Sequence, residues 1–73
     1  MNISIDSLTI QERKVLLLIA NGYKSQQIAD VLFISTHTVK NHKSNICKKL
    51  QLKSTTELLC YAVKYSTILD EYE

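Results

Sequence analysis

A single all-α domain is the fold that this sequence predicts, and three observations predict it. The chain of 73 residues holds no proline and one glycine, Gly22, so a turn-rich β architecture lacks the residues that make its turns. Apolar residues recur at helical spacing, as Val15, Leu16, Leu18 and Ile19 do, followed by Ile28, Ala29 and Leu32. A hydroxyl residue followed three positions later by Glu stands ahead of two such runs, at Thr9 with Glu12 and at Ser54 with Glu57. At this length only about 60% of the unfolded surface can be buried, which limits the chain to one compact core.

The first helix is expected from about 10 to 21. Thr9 and Glu12 form a capping box in which each side chain accepts from the other's amide, and Asn21-Gly22 ends the helix because glycine tolerates the left-handed conformation common there. Ser25 is the expected cap of a short second helix that buries Ile28, Ala29 and Leu32 and ends near Phe33. Ile34 then plugs the core and Ser35 caps the next helix, which makes a tight helix-turn-helix without the glycine that such turns often contain. The third helix is expected over about 36–51. The fourth begins at the Ser54 and Glu57 box and runs to about Tyr65, with Leu58, Tyr61, Ala62 and Tyr65 on the core side. Thr56, Leu59, Cys60 and Val63 fall on a separate side that is apolar without being buried, a candidate dimer interface. Either a second copy or Ile68 and Leu69 folding back would cover it. The acidic tail Asp70-Glu71-Tyr72-Glu73 carries no periodic signal and is expected to fray, which leaves an ordered core of about 8–66 in one domain.

Charge is segregated along the chain. The net charge is only +2. Residues 1–35 balance, with Arg13, Lys14 and Lys24 against Asp6, Glu12 and Asp30. From Thr36 to Lys53 stand Lys40, Lys43, Lys48, Lys49 and Lys53 with no acid at all. Residues 54–73 set Lys64 against four acids. The longest apolar run, Val15 to Ala20, is far short of the about 20 residues that cross a bilayer. Met1 to Ser7 lacks the basic start and apolar stretch of a secretory signal, so a cytoplasmic protein is expected. Cys47 and Cys60 have no paired spacing and are expected to stay reduced. His37 and His42 fall on different faces of one helix, so no metal ligand set and no cofactor site is expected.

The third helix carries the functional signal. At about 100° per residue Val39, His42, Ile46 and Leu50 share one face, while His37, Lys40, Asn41, Ser44 and Lys48 spread over the opposite one. A helix with a narrow apolar seam and an outer face of amides, hydroxyls and ammonium groups lies on a core and presents donors outward. Those donors suit the major groove of duplex DNA. An Asn amide pairs donor and acceptor with a base edge, Lys donates to guanine, and Ser permits close approach. His42 sits in the seam and is read as a packed residue rather than a base reader.

Taken together, Leu8-Thr9, Glu12, Val15-Leu16, Leu18-Ile19-Ala20, Gly22, Ile28-Ala29, Leu32, Ile34-Ser35, Thr38-Val39-Lys40, His42, Asn45-Ile46 and Lys49-Leu50-Gln51-Leu52 resemble the LuxR/GerE helix-turn-helix family. The resemblance covers nearly the whole chain and implies a four-helix domain that regulates transcription, often as the effector domain of a response regulator. It further implies a third helix in the major groove and a fourth that pairs two copies on an inverted repeat. The implied base-facing positions are His37, Lys40, Asn41 and Ser44. The implied backbone contacts are Ser25, Gln26, Thr36, Thr38, Lys43 and Lys48. The sequence departs from the family pattern at Gln11, Lys14 and Thr55, and at Lys24-Ser25 in place of Ser-Asn, which implies a second-helix cap displaced by one residue.

An enzyme finds no support: no Ser-His-acid or Gly-rich phosphate motif is present, and Ser35 is accounted for by capping. The competing reading is a helical interaction module that docks an RNA polymerase subunit or another regulator. Salt separates the two, because binding through several lysines to DNA weakens steeply as salt rises. A promoter-reading sigma-like domain shares the fold and normally ends a much longer chain.

Overall fold

The computed structural model describes residues 7–72, with side chains described for residues 7–67. Four helices follow one another: α1 (Ile10–Ala20), α2 (Ser25–Leu32), α3 (Thr36–Leu50) and α4 (Thr55–Tyr72), with no strand among the described residues. The α3 helix packs against both α1 and α2, and α4 packs against α1. Their shared core consists of Leu8, Val15, Leu16, Ile19, Ile28, Ala29, Val39, Ile46, Leu50, Leu58 and Ala62, with Leu32, Ile34, Leu52, Tyr61 and Tyr65 partly buried against it.

The helix starts follow from side-chain capping, with two corrections. At α1 the box is complete: the Glu12 amide donates to Thr9 Oγ1 at 3.1 Å and the Thr9 amide to Glu12 Oε1 at 3.0 Å. At α3 the Thr38 amide donates to Ser35 Oγ at 3.0 Å. The cap of α2 is not Ser25 but Lys24, whose own amide donates to Gln27 Oε1 at 2.8 Å. The cap has therefore kept its place, and a lysine, which cannot accept a hydrogen bond, occupies it while Gln27 supplies the closing bond from inside the helix. At α4 only half of the expected box forms. The Glu57 amide donates to Ser54 Oγ at 3.2 Å, but the Glu57 carboxylate takes the Lys53 amide at 3.0 Å instead of that of Ser54.

The ends of α1, α2 and α3 share one device. After α1 the Tyr23 amide reaches Leu18 O at 3.0 Å and the Gly22 amide reaches Ile19 O at 3.0 Å, closing the helix around Gly22 at φ 86. After α2 the Ile34 amide reaches Ala29 O at 3.0 Å around Phe33 at φ 57, and after α3 the Leu52 amide reaches Cys47 O at 2.8 Å around Gln51 at φ 56. The turn between α2 and α3 thus closes without glycine because Phe33 itself adopts the left-handed conformation. Ile34 and Leu52, the residues that follow, turn inward and pack on the core.

The α4 backbone continues as helix through Tyr72, well past the expected end near Tyr65. Ile68 and Leu69 continue along the same helix, so the fold-back that would have covered Leu59 and Val63 does not occur. The side chains of that pair and of the acidic tail lie outside the described residues.

Candidate nucleic-acid interface

The α3 helix owes its orientation to its seam. Val39 and Ile46 are fully buried and Leu50 nearly so, while His42 is half-buried beside them. Burying these three apolar side chains, at about 1.5–3 kcal/mol each, fixes the rotation of the helix about its axis. The opposite face is therefore held toward solvent, and His37, Lys40, Asn41, Ser44 and Lys48 are all exposed on it.

Two long-range contacts set the pose of α3 further, and neither was visible in the sequence. The first ties α3 to α1. Glu12, 3% exposed, is the one buried charged residue in the described core, and Lys49 Nζ donates to its Oε1 at 2.8 Å. Burial alone pushes the Glu12 carboxyl up. The hydrogen bonds from Lys49 and from the Thr9 amide, with the charges of Lys49 and His42, more than offset this and hold it below its ordinary value. The capping residue of α1 thus doubles as the anchor of α3, and Lys49 is turned inward to serve it. Of the five lysines between residues 36 and 53, Lys49 is spent on structure.

The second contact joins α3 to the start of α2. Lys43 Nζ donates to Ser25 Oγ at 2.7 Å across the helix-turn-helix. Both residues were expected on the DNA backbone, and the structure brings them together, half-buried, at the first turn of α2. The leading amides of a helix have no helical acceptor and carry the positive end of its dipole, so an ammonium held beside them makes this corner electropositive. Nearby, Gln26 is exposed and donates Nε2 to Asp30 Oδ1 at 3.2 Å. At the start of α3, Thr36 and Thr38 are half-buried, and Thr38 Oγ1 lies 3.0 Å from Ser35 Oγ.

On α4, Leu59 and Val63 are about half exposed at 48% and 47%, and Thr56 and Cys60 are exposed beside them. The expected separate side of α4 is present as an uncovered stripe. Cys47 is half-buried, and burial and the charge of Glu57 push its thiol up, away from the reactive thiolate. Among the described residues no group of His, Cys, Asp and Glu could hold a metal ion, and no helix is long and apolar enough to cross a membrane.

Comparison with known proteins matches residues 6–62 to the luxR family of bacterial regulatory proteins. The response regulator proteins VraR of Staphylococcus aureus (strain NCTC 8325 / PS 47), Staphylococcus saprophyticus and Staphylococcus epidermidis are each 43% identical to it over 63 residues, covering 86% of this chain and 30% of theirs. The chain therefore spans less than a third of the length of these relatives. No solved structure matches it.

Proposed function

The chain belongs to the luxR family of bacterial regulatory proteins, a family of DNA-binding transcription regulators rather than enzymes, and from that premise we propose that it reads duplex DNA by laying α3 in the major groove. One observation carries this reading. A single face of α3 exposes His37, Lys40, Asn41, Ser44 and Lys48, while the other is locked into the core. Lys40 and Asn41 project from the early turns of the helix and choose the sequence, Ser44 permits close approach to the groove floor, and His37 reads at the edge. Thr36, Thr38 and Lys48 contact phosphates along the strand. Ser25, Gln26 and Lys43 hold a further phosphate at the start of α2, where the helix dipole favours an anion.

Two copies pair through Thr56, Leu59, Cys60 and Val63 on an inverted repeat. A two-fold axis between the α4 stripes sets the two α3 helices about one turn of duplex apart. The stripe is small for a stable complex, so pairing is weak in solution and completed on DNA. This reading fits a cytoplasmic regulator, with RNA polymerase as its onward partner.

Selection from randomised duplex DNA tests the reading. It should enrich an inverted repeat whose affinity falls steeply with salt. Leu59→Asp should leave the fold intact and abolish cooperative occupancy of the two half-sites. Failure to enrich any sequence, with binding indifferent to salt, would instead favour an interaction module.

A further inference from the structure

The uncovered stripe of α4 borders a charged flank. At about 100° per residue, the side of α4 opposite buried Leu58 and Ala62 has a middle row of Thr56 and Cys60, with Leu59 and Val63 along one flank and Glu57 and Lys64 along the other. All of these outward residues are exposed. A shallow groove of about 280 Å³ follows the charged flank, lined by Leu52, Thr56, Glu57, Cys60, Tyr61 and Lys64. Its two charges are of opposite sign and lie two helical turns apart, with Cys60 and Tyr61 midway between them. The Glu57 carboxylate is steadied by the Lys53 amide, which donates to Oε1 at 3.0 Å, and a carboxylate so engaged has acceptor capacity for a further donor.

A helix face with this order is complementary to itself. We propose that two copies pair with their α4 helices antiparallel, about a two-fold axis level with Cys60 and Tyr61, so that Glu57 of each copy meets Lys64 of the other. This rests on pairing through α4 and adds its direction and register. Direction follows from the flanks. An antiparallel two-fold pair brings like flanks together, charged on charged and apolar on apolar, whereas a parallel pair would set Glu57 and Lys64 of each copy against Leu59 and Val63 of the other. Register follows from the charges. Moving the axis one turn along α4 in either direction sets Glu57 against Glu57 or Lys64 against Lys64, and like charges in contact oppose association. The register that closes both ion pairs also sets Leu59 of each copy beside Val63 of the other, because both pairs are centred at Cys60 and Tyr61. Exposed ion pairs of this kind add little affinity, so their effect is to select one alignment. That alignment favours identical copies over related chains with other charges at these positions, and it holds the two α3 helices at one separation on DNA.

Sedimentation of the full chain from about 0.1 to about 2 mM measures the pairing, in the range suited to a contact smaller than the about 1,200 Å² of stable complexes. Lys64→Glu and Glu57→Lys should each weaken self-association about tenfold, because each puts like charges at both contacts. An equimolar mixture of the two variants should recover the association of the parent, since every contact then joins opposite charges. Circular dichroism checks that each variant keeps its helices. Should Glu57→Lys unfold, Glu57→Gln, which keeps an acceptor for the Lys53 amide, takes its place with a smaller loss and a partial recovery. In the parent a short bismaleimide should couple Cys60 to Cys60, with Cys47→Ser removing the other thiol. Folded charge variants that associate like the parent, or that show no recovery on mixing, would overturn the register, and loss of association in Leu59→Asp would then leave pairing through α4 standing. Association unaltered in Leu59→Asp, or a parent that stays monomeric at about 2 mM, would overturn that pairing and the register with it.

Discussion

Single residues here serve two masters, and Glu12 is the clearest case. Its amide and carboxylate close the cap of α1, and the same carboxylate oxygen receives Lys49 from α3. Its folded-state carboxyl lies below the ordinary value of 4.5, so the stability it contributes is complete above that pH and is lost as pH falls through the depressed value. Urea denaturation at a series of pH values should show stability declining below about pH 4.5, and Glu12→Gln should flatten that decline. The same substitution should cost about 1–3 kcal/mol at neutral pH, because it weakens charge-assisted hydrogen bonds at a buried site. A parent and variant with identical acid profiles would show that Glu12 does not carry the effect. Phe33 presents the opposite case, a residue that the fold tolerates at a cost. Phe33→Asn should raise stability by up to about 1 kcal/mol in a thermal melt, since a left-handed non-glycine residue is penalised by about that amount and asparagine less so.

At the scale of elements, helix bounds were legible to within a residue except for the end of α4, whereas the left-handed conformations that close α2 and α3 were not. Thr9, Ser35 and Ser54 announce their helices because a hydroxyl acceptor at the cap is a local chemical requirement that the sequence displays. The second helix misled because Ser25 is a good cap by type. The helix begins one residue earlier, at a lysine rescued by Gln27. Gly22 marked its turn, but nothing in the residue types marks Phe33 or Gln51 as left-handed. Tertiary packing of Ile34 and Leu52 imposes that conformation. The face of α3 was legible throughout, since Val39, Ile46 and Leu50 repeat at the helical period and all are buried. Ile46→Ala should lose about 2–5 kcal/mol through lost transfer energy and the cavity left behind, enough to unfold much of so small a domain. A melt unchanged by that substitution would mean that the seam faces water.

For the whole molecule, the sequence disclosed which segment is basic but not how its cations are used. Lys43 and Lys49 are pinned by Ser25 and Glu12, 18 and 37 residues away along the chain, and no local pattern reveals such pairs. Their effect is to brace the helix that carries Lys40, Asn41, Ser44 and Lys48, so that an exposed donor face rests on a fixed mount. On the proposed reading, base choice and overall attraction to DNA are divided between different lysines of the same helix. Equilibrium titration of a selected duplex and of a scrambled one, at several salt concentrations, measures that division directly. Lys40→Ala and Asn41→Ala should each cost about 1–3 kcal/mol on the selected duplex and little on the scrambled one, while Lys48→Ala should weaken both alike and reduce the salt slope by about 1. Lys40→Ala and Asn41→Ala variants that bind the selected duplex as tightly as the parent would contradict the assignment of α3 as the reading helix.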